Sequence, residues 1–188
     1  MTTTFDISAL TLGDPVVSGR GQKSIPVSYD GRPVVWQPSE QVVLFEPTSF
    51  SGEEATRVNL VMRASPEAAA ELTQLDEALL NLVVQQSAQI FGKAITLEEA
   101  QSRYVPSLKP NEKGYAPTWK CKVNVGGKAR VNLWDTGKRR RLTPESWVKA
   151  QVWPKAILKS LWIMGKQFGP LFEVGDLMVE EATVECPF

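Results

Sequence analysis

The chain of 188 residues contains no histidine and only two cysteines, Cys121 and Cys186. Without histidine there is no Ser–His or Cys–His nucleophile pair, no histidine general base and no zinc site with histidine ligands. Two cysteines build no disulfide framework and cannot by themselves complete a structural zinc site; their scarcity fits a reducing compartment. Phosphate-cradling loops of the GxxxxGK[ST] or GxGxxG type are absent. No apolar run is long enough to span a bilayer. The opening residues Met1–Ser8 lack the basic and apolar regions of a secretory signal. The expectation is an intracellular protein of the cytoplasm or nucleus, not secreted, with no membrane partner, no metal and no cofactor.

What is present is an ordinary globular composition, 43% apolar and 22% charged, in a length that suits one domain with a real core. Equal numbers of basic and acidic residues, 21 each, give a net charge of zero. That balance conceals three unlike segments. Residues 1–102 carry 6 basic and 13 acidic side chains, a net of −7. Residues 103–166 carry 15 basic and 3 acidic ones, a net of +12. Residues 167–188 carry none and 5, a net of −5. A locally basic segment of this size points to a polyanionic partner.

The first sixty residues read as β. Runs rich in β-branched and aromatic residues, at Thr4–Leu12, Ser24–Tyr29, Pro33–Gln37, Gln41–Glu46 and Thr56–Arg63, are punctuated by Gly31, Pro33, Pro38 and Pro47. The middle reads as helical. Ser65 is a good N-cap and Pro66 suits the first helical position. Leu72, Leu75, Leu79, Leu82 and Val83 then form one apolar stripe, and Gly92 marks a stop. Thr96 and Glu99 complete a capping box for a second, shorter helix that ends by Pro106 and Pro110. Lys109–Pro117 reads as a loop. Further strands are expected at Trp147–Trp153, Leu158–Met164 and Leu171–Val184, followed by a short tail over residues 185–188.

The stretch Trp119–Trp134 reads as a hairpin. A three-residue loop at Gly126-Gly127-Lys128 puts Trp119, Cys121, Val123, Val125, Ala129, Val131 and Leu133 on one face. Lys120, Lys122, Asn124, Arg130, Asn132 and Trp134 fall on the other. A two-residue turn at the glycines would mix polarity on both faces. Cations, amides and a tryptophan side by side suit a surface that stacks bases and tracks phosphates. A solvated sheet face with Trp134 packed beneath a loop is the plainer alternative. The run Lys138, Arg139, Arg140, Arg141 extends the cationic face; on its own it reads equally as a charged loop or a nuclear localisation patch. Trp147, Lys149 and Trp153 recur at period two and suggest a second face of the same kind. Together these strands favour nucleic acid. Lys155, Lys159 and Lys166 add charge nearby.

Other aromatics read as structural. Trp162 lies in an apolar run and is expected in the core, as are Trp36, Phe45 and Phe50 in core or loop packing; Tyr104 and Tyr115 suit either role. The adjacent pairs Glu53-Glu54, Glu98-Glu99 and Glu180-Glu181 point in different directions and read as solvated surface rather than as acid–base or metal sites. A terminal Phe188 after a stretch without basic residues reads as a partner-docking peptide or as a frayed end.

Several stretches share a pattern with known proteins: Leu75-Asp76-Glu77 on the helix, Tyr104-Val105-Pro106-Ser107-Leu108-Lys109 after it, Trp119-Lys120-Cys121-Lys122-Val123, Val131-Asn132-Leu133-Trp134-Asp135-Thr136-Gly137-Lys138, and Leu177-Met178-Val179-Glu180. In this order they resemble the OB-fold single-stranded DNA-binding proteins of short-tailed phages and their counterparts in nucleocytoplasmic large DNA viruses. The phage-type tail is long and strongly acidic, whereas here the acidic end is short and interleaved with apolar residues. The Pro187-Phe188 ending is similar to the tip of bacterial single-stranded DNA-binding proteins.

The resemblance implies a mainly β, OB-like five-stranded barrel with extra strands and a helical insertion at about residues 65–105, in one domain over residues 1–184. It implies binding of single-stranded DNA in replication, recombination or repair, with little sequence preference and no catalysis, in a virus-infected host cell. Bases would stack on Trp134, Trp147 and Trp153. Lys120, Lys122, Arg130, Asn132, Lys138, Arg139, Arg140, Arg141 and Lys149 would meet the backbone, and Phe188 would dock replication proteins. A homo-oligomer is compatible with this. The rival expectation is a virion structural or assembly protein whose basic face binds an acidic partner.

Overall fold

The computed structural model describes residues 7–19, 21–49 and 56–182. Its strands are β1 (Leu10–Leu12), β2 (Val16–Val17), β3 (Lys23–Tyr29), β4 (Arg32–Trp36), β5 (Gln41–Val43), β6 (Arg57–Arg63), β7 (Leu108–Lys109), β8 (Thr118–Asn124), β9 (Asn132–Trp134), β10 (Gln151–Met164) and β11 (Gln167–Glu180). Three helices, α1 (Pro66–Gln85), α2 (Ser87–Phe91) and α3 (Leu97–Arg103), lie between β6 and β7.

Five strands close on themselves. β5 pairs with β6 and β6 with β8, both antiparallel; β8 pairs with β11 in parallel; β11 pairs antiparallel with β10, and β10 returns to β5. This is the expected OB-like barrel, with the helices inserted between two of its strands. β10 has 14 residues, about 46 Å of chain. Its length lets one edge serve β5 at Gln151–Val152, β4 at Ala156–Leu158 and β3 at Ser160–Ile163. That edge has no partner at Pro154, between the β5 and β4 stretches, where a residue without an N–H fits a sheet. β10 is therefore continuous where two separate strands were expected. It turns into β11 through Gly165 (φ 61°) and Lys166.

The helical signals act as read. The Ser65 hydroxyl accepts the Ala68 N–H at 3.2 Å, and the Thr96 hydroxyl accepts that of Glu99 at 3.1 Å. Leu72, Leu75, Leu79 and Val83 are buried. The chain breaks at Gln86, starts α2, and ends it on Gly92 at φ 75°. Asp76 faces inward from α1, accepting the Tyr104 hydroxyl (2.6 Å) and the Ser107 hydroxyl (2.7 Å) and N–H (2.8 Å). Burial pushes its carboxyl above the usual range, outweighing those donors.

Inside the barrel Trp36, Trp119 and Phe172 form one cluster, with the two indoles 4.9 Å apart. Their N–H groups are satisfied: Trp36 donates to Glu71 at 2.6 Å, and Trp119 to the buried amide of Gln41 at 3.1 Å. Gln41 also accepts the Ser65 N–H, tying the helix start to β5.

Two expectations about the strands that carry the site are corrected. β8 and β9 are not a hairpin. Both run parallel to β11, β8 at Glu173–Val174 and β9 at Asp176–Met178, so the chain loops out over residues 125–131 and rejoins in the same direction. The two-faced partition survives for the strand residues because alternation holds within each piece: Trp119, Cys121, Val123, Val131 and Leu133 are buried. Val125 is half-buried, and Ala129, in the loop, is exposed. The antiparallel neighbour of β9 is instead the segment after it, reached through the Asp135–Lys138 turn, with Trp134 opposite Arg140.

The second correction is Trp147. It is not on a strand and not exposed. Residues 147–150 form a turn with Lys149 at φ 64°, which breaks the alternation read through Trp153. Glu46 accepts the Ser146 hydroxyl at 2.6 Å and the Trp147 N–H at 3.0 Å, fixing that turn. Trp147 is 6% exposed and belongs to the core, leaving no ring face for a base. Trp162 is half-buried over Gly169, where a Cβ would meet the Val105 carbonyl at 2.5 Å and the indole at 3.1 Å. Phe45 is 61% exposed rather than packed.

Candidate nucleic-acid interface

Alternation sends the odd-numbered residues of β8 into the core and leaves Lys120, Lys122 and Asn124 outside. On β10, Trp153, Lys155 and Ile157 lie outside in the same way. β11 would place Asp176 inward if its alternation ran unbroken from Glu173. It does not, because Gly175 is an extra residue between the Ala156–Val174 and Lys155–Asp176 pairs. The bulge turns Asp176 and Met178 to the outer side, together with Glu173.

Three rows then cross the strands. Trp153, Met178 and Trp134 are direct neighbours on β10, β11 and β9. Beside them run Lys155, Asp176 and Asn132, and farther along Ile157, Glu173, Lys122 and Asn59. At about 4.8 Å between strands, the first row spans about 10 Å. Trp134 and Trp153 are both half-buried.

The first two rows are joined by hydrogen bonds. Asp176 Oδ1 accepts the Trp134 indole N–H at 3.1 Å and the Asn132 amide at 2.9 Å. Arg140 donates to Asn132 Oδ1 at 2.6 Å and lies 4.6 Å from the centre of the Trp134 ring. Partial burial opposes the charge on Asp176, but the Asn132 and Trp134 donors and the nearby Lys155 and Arg140 charges hold its carboxyl below the usual range. Lys122 is pushed down by burial and by the charges of Arg57 and Lys120.

The remaining cations are spread around this centre. Lys120 is exposed opposite Val61 of β6. Arg130 is exposed in the 125–131 loop and donates to Thr143 at 3.3 Å. Lys138 is exposed in the turn at φ 61°. Arg139 is 3.0 Å from Asp135, which also accepts its backbone N–H. Arg141 bonds Glu181 and the Val179 carbonyl. Lys149 lines a shallow cleft with Gln151, Glu180, Glu181 and Ala182. Phe188 lies outside the described residues.

Sequence order separated a basic segment from an acidic end, and the fold interleaves them. β11 lies between β10 and the β8–β9 edge, so Glu173 and Asp176 sit within the cationic face. Arg57 is drawn into it too, 2.7 Å from Glu173. Met178, Glu173, Asp176 and Arg57 are members that local pattern did not single out. The glycine at 175 was the available signal for Asp176 and Met178; nothing local marks Arg57.

Among the described residues no helix is long and apolar enough to cross a membrane, and no group of three metal-ligating side chains is present. No known family profile and no curated protein matches the sequence. Solved structures do match in fold. The single-stranded DNA-binding protein of bacteriophage Enc34, in complex with ssDNA, superposes with a TM-score of 0.52 at 7% identity, over 91% of this chain and 96% of that one. A C-terminal truncation of it gives 0.51 at 9% identity, over 93% and 97%. The single-stranded DNA-binding protein gp2.5 of bacteriophage T7 gives 0.52 at 11% identity, over 80% and 93%. The chain thus has the fold of phage single-stranded DNA-binding proteins.

Proposed function

We propose that this protein binds single-stranded DNA with little sequence preference, in replication, recombination or repair, and that it works by binding without catalysis. The observation that carries the reading is the outward row Trp153–Met178–Trp134 with Arg140 against its end. Flat, sequence-tolerant stacking surfaces flanked by cations are what unpaired strands require, because every base has a π face. Bases stack on Trp134 and Trp153. Lys120, Lys122, Arg130, Lys138, Arg139, Arg140, Arg141 and Lys149 neutralise phosphates, and Asn132 supplies a polar contact. The fold shared with phage proteins that bind ssDNA supports the same reading.

Fluorescence-polarisation titrations with oligo-dT, duplex DNA and oligo-U test it. Oligo-dT should bind more tightly than duplex. A chain that ignores all three probes but forms a defined complex with an acidic protein would instead be an assembly protein. Under the proposed reading the end of the chain, Phe188, docks replication proteins. Deleting residues 185–188 should abolish capture of such a partner while oligo-dT still binds.

A further inference from the structure

A carboxylate in the middle of a face that meets a polyanion should weaken binding, unless it organises more than it repels. Asp176 is such a group. Gly175 is bulged, and the effect is to bring Asp176 to the outer side between Lys155 and Asn132. One oxygen, Oδ1, accepts both the Trp134 indole N–H at 3.1 Å and the Asn132 amide at 2.9 Å. The amide of Asn132 is thereby oriented with its carbonyl oxygen toward Arg140, which donates to it at 2.6 Å. Arg140 completes a ring of contacts by lying 4.6 Å over the Trp134 ring. The backbone supports the arrangement, since Arg140 sits directly opposite Trp134 and Arg141 donates to the Leu133 carbonyl at 3.0 Å.

We propose that Asp176 is a positioning residue for base stacking: it holds the Trp134 indole directly and the Arg140 guanidinium through Asn132, making ring and cation one pre-ordered platform. The proposal rests on the single-stranded DNA reading above. Guanidinium planes, like aromatic rings, stack on bases, so Arg140 extends the row beyond Trp134. The charge-assisted bonds that Asp176 accepts are stronger than neutral ones. They limit the rotamer freedom that a strand would otherwise have to remove on binding.

Asp176→Asn separates the two roles because it removes a negative charge while keeping the shape. If Asp176 only repels phosphates, the variant binds oligo-dT more tightly. If it positions the platform, the variant binds roughly three- to tenfold more weakly, and Asp176→Glu recovers part of the loss. The Trp134 indole N–H resonance should move toward weaker hydrogen bonding in the variant, and Asp176→Asn should add less than twofold in a Trp134→Ala background. Should Asp176→Asn fail to melt cooperatively, Asp176→Glu asks the same question: it keeps the charge but displaces the oxygen that Trp134 and Asn132 share, and should also lose affinity. Wild-type protein that binds oligo-dT while the cooperatively melting Asp176 variant binds as well or better overturns the positioning role alone. Wild-type protein that ignores oligo-dT overturns the DNA reading and this proposal with it.

Discussion

The inner and outer faces of the barrel each hold a pair of tryptophans, built on opposite terms. Trp36 and Trp119 lie 4.9 Å apart inside, fully buried, with their N–H groups taken by Glu71 and Gln41. Trp134 and Trp153 lie outside on either side of Met178, and each is only half-buried. The inner pair is closed by Phe172, which packs against both rings. The outer pair is bordered by Arg140, Lys155 and Asp176. Tryptophan content alone therefore says little about binding; what decides is which side of a strand the residue occupies and what charge surrounds it.

Truncating the inner pair should do the most damage. Trp119→Ala should cost about 3–5 kcal/mol of stability by opening a cavity, read as a lower midpoint in denaturant unfolding. Trp134→Ala should reverse the pattern. It should weaken oligo-dT binding by about 1–3 kcal/mol while cooperative melting stays near wild type. A collapse of melting in that variant would erase the distinction between the pairs. Ser65→Ala touches neither pair and should cost about 1 kcal/mol of stability through the lost helix cap, with oligo-dT affinity unchanged.

The smallest effect is a pH dependence. Asp176 titrates below its unfolded value, so the stability it adds is present above the unfolded pKa of about 3.9 and disappears as pH falls through the folded one. Asp176→Asn should therefore melt slightly below wild type at pH 7, and the gap should narrow as pH falls below the unfolded carboxylate range. A gap independent of pH would show that the carboxylate charge contributes nothing.

Local signals carried much of the fold. Ser65, Pro66, Gly92 and Thr96 bound the helices because caps and turns depend on neighbouring residues. Alternation correctly sorted Trp119 from Lys120 and Leu133 from Trp134. It failed where a turn interrupts the period, at Lys149, which moves Trp147 into the core. Pairing was the least legible part. β8 and β9 look like a hairpin because they are close in sequence, yet both join β11, about forty to fifty residues away. That distant strand is what brings Glu173, Asp176 and Met178 into the cationic face, so the site's acidic and apolar members were hidden while its lysines and Trp134 were readable.

The most direct test of the outer face as a single-strand binding surface is the affinity of the wild-type chain for oligo-dT across a salt series. Affinity should fall with a log–log slope of about −0.7 for each phosphate contacted. An affinity that ignores salt, or no binding to oligo-dT at low salt, would contradict it.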